Sequence, residues 1–556
     1  TYDRLTVIKG PQSVRWGAGA SAGTVRFERD MPRFDAPGME LQASALGGSR
    51  SRNDQMLDAS FGSSPGYVRV NGNRSESGDY RDGNGDVVPS RWRKWNADAA
   101  IGWTPDADTV LELNAGTGDA LARYAGRGMD GAAFKRSSYG LRFERGNLPG
   151  AWDKLQANLY YNDADHVMDN YTLRTPNPHG SMPMPMASNV ERRTSGGRVA
   201  SEWRWQGVAI VAGIDAQDSR HRKRSGMRGT WQQKAWTRDA ELRNQGAFAE
   251  LTFGEDTPRR WVSGLRVDKA QAKDLRQTAG MMAMPNPTAG QTREETLGSG
   301  FLRYERDHGQ AWTWYAGLGH AERMPDYWEL FSADAGPAGS ANAFAGVKPE
   351  KTTQLDLGLQ FHGRALDAWV SAYAGRIDDY ILFAYRSGGM MGSSTRAGNV
   401  DARIAGAEAG LEWRPAQGWK LGSTLAYAWG ENRDGQRPLP QIPPLEGRFT
   451  ASWEHARWST GALLRVAGRQ NRVAQDEGNV VARDLGPSAG FATLSLNAAY
   501  RISDGLRASA GVDNVFDRAY AEHLNLAGSA DFGFPADPVR INEPGRTFWL
   551  KLDYRY

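Results

Sequence analysis

Residues 153–170 read DKLQANLYYNDADHVMDN. Leu155, Ala157, Leu159 and Tyr161 alternate with Gln156, Asn158, Tyr160 and Asn162, so the segment has an apolar and a polar face at a period of two. That period belongs to an extended strand, because successive side chains of a strand point to opposite sides. Carried forward, it puts His166 and Met168 on the polar face, about 6 to 7 Å apart along the strand. The chain has only eight histidines and no cysteine, so an imidazole two residues from a thioether stands out.

The same alternation recurs in segments of about ten residues along the chain. Examples are YVRVNGNRSES at 67–77, TVLELNAGTG at 109–118, TTQLDLGLQF at 352–361, ATLSLNAAYR at 492–501 and TFWLKLDYRY at 547–556. A soluble sandwich does not easily absorb so many consecutive two-faced strands. An outer-membrane barrel does: the apolar face meets lipid, the polar face meets the lumen, and closure removes the edges. Tryptophans near strand ends (Trp92, Trp95, Trp103, Trp203, Trp205, Trp312, Trp314, Trp413, Trp419 and Trp549) fit interfacial girdles.

Composition agrees with this. The 556 residues include 66 Gly, 20 Trp, 19 Tyr and 18 Phe, yet mean hydropathy is −0.62. No apolar run approaches the roughly 18 to 20 residues of a membrane-spanning helix. The 68 basic and 64 acidic residues are spread without a Lys/Arg block, which points away from nucleic acid as a partner. The missing cysteines exclude disulfides and zinc ribbons and suit an oxidising compartment.

Short turns such as 104–108 and 502–505 alternate with long connections such as 171–194, 276–296, 332–348, 386–399 and 469–489, the pattern of a transmembrane barrel. Roughly 24 residues per strand and loop predict about 22 strands over 36–556. Residues 1–35 lack the alternating texture, and a fragment this small cannot bury its own core.

IKGPQSVRWGAGASAGTVRFERD (8–30) resembles the closing segment of the plug domain in TonB-dependent outer-membrane receptors. ERMPDYWELF (322–331), VKPEKTTQLDLGL (347–359), GNVDARIAGAEAGLEW (398–413) and VDNVFDRAYAEH (512–523) with the terminal Tyr556 are similar to that family in the same order. The resemblance implies an all-β fold. Its transmembrane antiparallel β-barrel (36–556) would be filled by a plug whose C-terminal part is 1–35. It also implies an outer-membrane location among lipid and lipopolysaccharide. Energy would come from the TonB complex, acting through an N-terminal region that would lie upstream of residue 1.

Cargo is suggested by the methionines. Eight of the fifteen fall in three Gly/Pro-rich connections: Met182, Met184 and Met186 just after His179, Met281, Met282 and Met284, and Met390 and Met391. Thioethers are soft ligands that favour copper over iron, calcium or magnesium. Methionine more often fills irregular cores, but loops of Pro, Gly, Asn and Ser offer little core. Together with His166 and Met168, the pattern resembles the OprC/NosA-type copper receptors of the family. It implies copper, as Cu(I) or Cu(II), as transported substrate. His166 and Met168 would form part of the site, a plug would supply further ligands, and the loop residues would capture the ion. Asp163, Asp165 and Asp169 are read as lumenal carboxylates able to draw cations in. His221, His308, His320, His362, His455 and His523 have no soft neighbour and are read as ordinary polar residues. A siderophore or cobalamin receptor and a passive porin are the alternatives. No hydrolase nucleophile elbow, H-E-x-x-H or defensible carboxylate pair speaks for an enzyme.

Overall fold

The computed structural model describes residues 2–180, 182–279, 284–386, 394–535 and 537–556. Twenty-two long strands, from Gly38–Gly48 to Thr547–Arg555, close into one antiparallel barrel, as the alternation predicts. Closure is made by pairing the first strand with the last, from Gln42↔Arg555 to Gly48↔Trp549. Two-residue strands Arg437–Pro438 and Glu477–Gly478 add to the ladder. No helix among the described residues is long and apolar enough to cross a membrane.

The two faces separate sharply. In the strand Arg259–Asp274, Leu265 and Val267 are 74% and 58% exposed on the outside, while Arg266 and Asp268 between and beside them are 2% and 1% exposed. An exposed apolar band around a charged interior suits a barrel solvated by lipid. Trp103, Trp205, Trp312, Trp413 and Trp419 stand exposed at the short-turn rim. Trp92 and Trp549 do not belong to that girdle. Trp549 lies in the opposite phase to the exposed Phe548 and Leu550, and Trp92 in the opposite phase to the exposed Trp95, with its indole N–H donated to Ser75 Oγ at 3.0 Å.

Strands between residues 130 and 274 run to 16–20 residues, well past the roughly 9 to 11 that cross a bilayer. Their upper ends therefore project beyond the hydrocarbon on the long-loop side. The connection after Arg323 folds into two short helices, Tyr327–Phe331 and Ala343–Gly346. Asp326 and Glu329 form a reciprocal capping box on the first. Leu330 and Phe344 are buried against Ala272, and the Tyr327 hydroxyl donates to Asp239, so this loop closes part of the mouth.

Residues 4–28 form a hairpin, Arg4–Lys9 with Gly23–Glu28, inside the lumen. Val14 packs with Ala200, Phe248, Val262 and Phe301, Gln12 Nε2 donates to Asp356 at 3.0 Å, and Lys9 pairs with Glu408. The Gly10–Pro11 turn needs its glycine: φ is 64°, and a Cβ there would lie 2.5–2.9 Å from Gln354 and Asp356.

Candidate metal centre

His166 and Met168 sit at the loop-side end of the strand Trp152–Asp169. The even phase of that strand is lumenal, since Gln156 lines the inner cavity while Leu159 is 57% exposed outside. The pattern is unbroken between Leu155 and Asp169, where every residue pairs in register with the next strand. The two side chains fold toward one another, leaving His166 Nε2 and Met168 Sδ 3.0 Å apart. A first-row metal bound by such a pair at about 2.0 Å to nitrogen and 2.3 Å to sulfur holds the two atoms roughly 3.5 Å apart in a tetrahedral arrangement. Small side-chain rotations cover the difference.

The pair is supported from the neighbouring strand Asp130–Arg145. Phe134 is the cross-strand partner of His166, with ring centroids 4.0 Å apart and planes tilted by 31°. A register shift between Gly131 and Ala133 sets Phe134 in place, with its N–H donated to Asp119 Oδ1 at 2.9 Å. A Cβ at Gly131 would collide with the Phe134 ring, so glycine is what lets the ring settle there. From the other side Asn189 Nδ2 donates to the His166 carbonyl at 3.3 Å.

The three nearby carboxylates do not serve the pair. Asp163, Asp165 and Asp169 lie in the odd phase, on the opposite face of the strand. Asp163 pairs with Arg193 at 3.2 Å, Asp165 accepts from Asn189 Nδ2, and buried Asp169 accepts from Tyr171 N, Thr172 N and Thr172 Oγ1. The reading of them as lumenal fails because alternation sends i+1 and i+2 to different faces.

The methionine connection folds beside the pair. Asn170, 1% exposed, donates to the carbonyls of Met182 and Met184, each at 2.9 Å, and accepts from Met186 N at 2.8 Å. Arg174 anchors the same loop through a buried pair with Asp130. Met184 and Met186 stay 52% and 36% exposed, and His179 is also exposed, with its backbone N–H donated to Asn177 Oδ1. Met168 faces Ser188, and Met186 follows diagonally on the same face. Sequence reading passed over Met227, which is the cross-strand partner of Met186 and 44% exposed. Met284 is 59% exposed in a separate loop. Met281, Met282, Met390 and Met391 lie outside the described residues.

Lower in the lumen, a cavity of about 890 Å³ separates the N-terminal hairpin from the wall. Lys9, Arg15, Arg26, Arg260 and Arg303 line it with Trp16, Tyr315 and Trp369. Its cations have carboxylate partners: Arg15 with Glu202 and Glu250, Arg260 with Glu305 and Asp307, Arg303 with Glu305. Of the other histidines, His221 stacks on Tyr327 with centroids 4.1 Å apart and planes at 12°, and His523 Nδ1 meets Ser488 Oγ at 2.9 Å. Among the described residues no three His, Asp or Glu side chains converge as a metal cluster.

Residues 20–515 match the family described as TonB dependent receptor-like, beta-barrel. A solved structure named copper transporter OprC is 55% identical, with a TM-score of 0.98 over 100% of this chain and 86% of that one. The FrpB iron transporter from Neisseria meningitidis shares the fold at 15% identity, with a TM-score of 0.74 over 100% of this chain and 87% of its own. Among curated proteins, the ferric-pyoverdine 358 receptor of Pseudomonas putida is 28% identical over 27% of this chain. The ferric enterobactin receptor of Pseudomonas aeruginosa is 25% identical over 43%. The matches span only 18% and 35% of those two relatives. With the family model covering most of its length and 22 strands closing around a charged lumen, the chain belongs to the TonB-dependent receptors of the outer membrane.

Proposed function

We propose that this receptor imports copper into the periplasm in a TonB-dependent manner, and that His166 and Met168 hold the ion on its way in. The observation that carries the reading is the 3.0 Å approach of Nε2 to Sδ at the loop-side mouth of the lumen, in a barrel 55% identical to a protein named as a copper transporter. A neutral imidazole and a thioether suit a soft or borderline ion, and they leave coordination positions for ligands from elsewhere. Residues 1–35 are read as the C-terminal part of a plug, and further ligands are expected from plug residues that face the pair. The thioethers of Met182, Met184 and Met186, with His179, Met281, Met282, Met284, Met390 and Met391, act in this reading as weak capture sites.

A siderophore receptor is less well supported. Its arginine- and aromatic-lined surface would be needed at the mouth, whereas the arginine-lined cavity here lies toward the short-turn side and its cations are matched by carboxylates. The test is elemental analysis of the purified receptor after exposure to an equimolar mixture of copper, zinc, iron and nickel. Copper is expected to be retained by the parent and lost from the folded His166→Ala/Met168→Ala double variant. Equal copper in both would refute the assigned site, and iron in place of copper would refute the cargo.

A further inference from the structure

The last long connection of the chain, between the strands Leu506–Asp513 and Thr547–Arg555, reaches back to the loops beside the His166–Met168 pair. Its two sides are joined by Gly528 N, which donates to the Val539 carbonyl at 3.0 Å, and by Ile541 N, which donates to the Leu526 carbonyl at 3.0 Å. At the tip of this arm Ser529 N donates to the Ala125 carbonyl at 2.8 Å, and a Cβ at Gly180 would collide with Asp531 Oδ1. The arm therefore touches both loops that flank the pair, the one before the strand Asp130–Arg145 and the one after the strand Trp152–Asp169.

Phe532 stands at the same tip. Its ring centroid is 4.0 Å from Arg174 Cζ and 4.9 Å from Arg123 Cζ. The Arg174 side chain is 4% exposed, and its in-plane donors are taken: Nε and Nη2 by the two Asp130 oxygens, Nη1 by the Arg127 carbonyl at 2.9 Å, and Nη2 also by the Tyr124 carbonyl at 3.2 Å. Such a guanidinium has only its flat faces left to offer, and an aromatic ring laid on one of them keeps water from the ion pair. Without the ring, solvent would reach the pair and screen it.

Asp130, 0% exposed, also begins the ladder that carries the copper site. It pairs with Asp169, Gly131 pairs with Met168, and the register shift that follows brings Phe134 opposite His166. We infer that Phe532 is a positioning residue for copper: by covering Arg174 it holds Asp130, and through Asp130 the register shift that sets the Phe134 ring against His166. Phe532 and Arg174 act on the ion only through that frame and are not ligands. The inference rests on the copper reading of His166 and Met168 and adds to it a residue from the far end of the chain.

Competition titration of copper against a chromophoric chelator, on the full receptor in detergent, tests it. Phe532→Ala is expected to weaken copper binding about fivefold or more, the scale of coupling between separate sites, with stoichiometry at saturation unchanged. Phe532→Tyr keeps the ring face and is expected to bind as the parent does. So is Phe516→Ala, which removes a 76% exposed phenyl from the same connection. Because Phe532 acts through the placement of Phe134, adding Phe532→Ala to Phe134→Ala is expected to weaken binding little further, whereas independent effects would multiply. In metal-free receptor, amide exchange over 123–134 is expected to be faster in Phe532→Ala than in the parent. Heat-modifiable gel migration confirms a folded barrel; if Phe532→Ala does not fold, Phe532→Leu, which also lacks the ring face, takes its place. Equal copper affinity in the parent and the folded variant overturns the inference. So do a Phe532→Tyr variant as weak as Phe532→Ala, multiplied losses in the double variant, or unchanged amide exchange. Copper absent from the parent itself refutes the copper reading and this inference with it, so the two failures are told apart.

Discussion

The lower lumen of this barrel and the His166–Met168 pair at its mouth handle polar groups in opposite ways. Around the N-terminal hairpin, cations meet carboxylates in closed sets. Arg266, 2% exposed, is held by Asp215 and Asp268 and also donates to the Val14 carbonyl. At the mouth, the imidazole of His166 and the thioether of Met168 meet each other and a phenyl face. The contrast separates structure from recognition. A buried ion that already has its counter-ions has little affinity to offer a passing solute, whereas a nitrogen and a sulfur lone pair turned toward one another can be parted by a soft ion that binds both.

Substitutions can break this contrast. The largest effect is expected from Arg266→Ala, which leaves Asp215 and Asp268 with unpaired charge in the lumen. It is expected to cost about 3 to 5 kcal/mol of stability, read as a lower midpoint in denaturant-induced unfolding in detergent, with copper stoichiometry unchanged in the protein that remains folded. Loss of copper by the folded variant would mean that the two regions are coupled. Phe134→Ala is expected to do the reverse. Removing the ring that packs on His166 forfeits about 0.5 to 1.5 kcal/mol of contact, so copper affinity falls roughly three- to tenfold by competition titration while the unfolding midpoint stays close to that of the parent. A smaller effect is expected from replacing Met182, Met184 and Met186 together with leucine. Uptake of copper slows at low external concentration, while copper bound at saturation stays the same. Asn170→Ala, which releases the backbone of the same loop, is expected to slow uptake in the same direction and by less.

Much of this architecture is legible in the sequence because period two is a physical constraint on every strand. The alternation over the eight residues 155–162 gives the lumenal phase of His166 and Met168 before the site itself is reached. Other features depend on phase or register that composition does not carry. Trp92 and Trp549 read as girdle residues until their neighbours Trp95 and Phe548 claim the outer face. Asp163 and Asp165 read as lumenal because they are polar, yet on the outward face Asp163 pairs with Arg193 and Asp165 accepts from Asn189, where the long strands rise above the lipid. Phe134 reaches His166 only because of a register shift at Gly131, and Met227 meets Met186 only through strand pairing. The capping box at Asp326 and Glu329 was readable from its D-x-x-E spacing and marks the helix that folds into the mouth.

One nitrogen and one sulfur from this strand are expected to bind the same ion, and X-ray absorption at the copper edge tests this most directly. Copper-loaded receptor is expected to show a nitrogen shell near 2.0 Å and a sulfur shell at about 2.3 Å, with the sulfur contribution reduced in Met168→Ala and the imidazole scattering reduced in His166→Ala. A copper spectrum left unchanged by both substitutions would contradict the account.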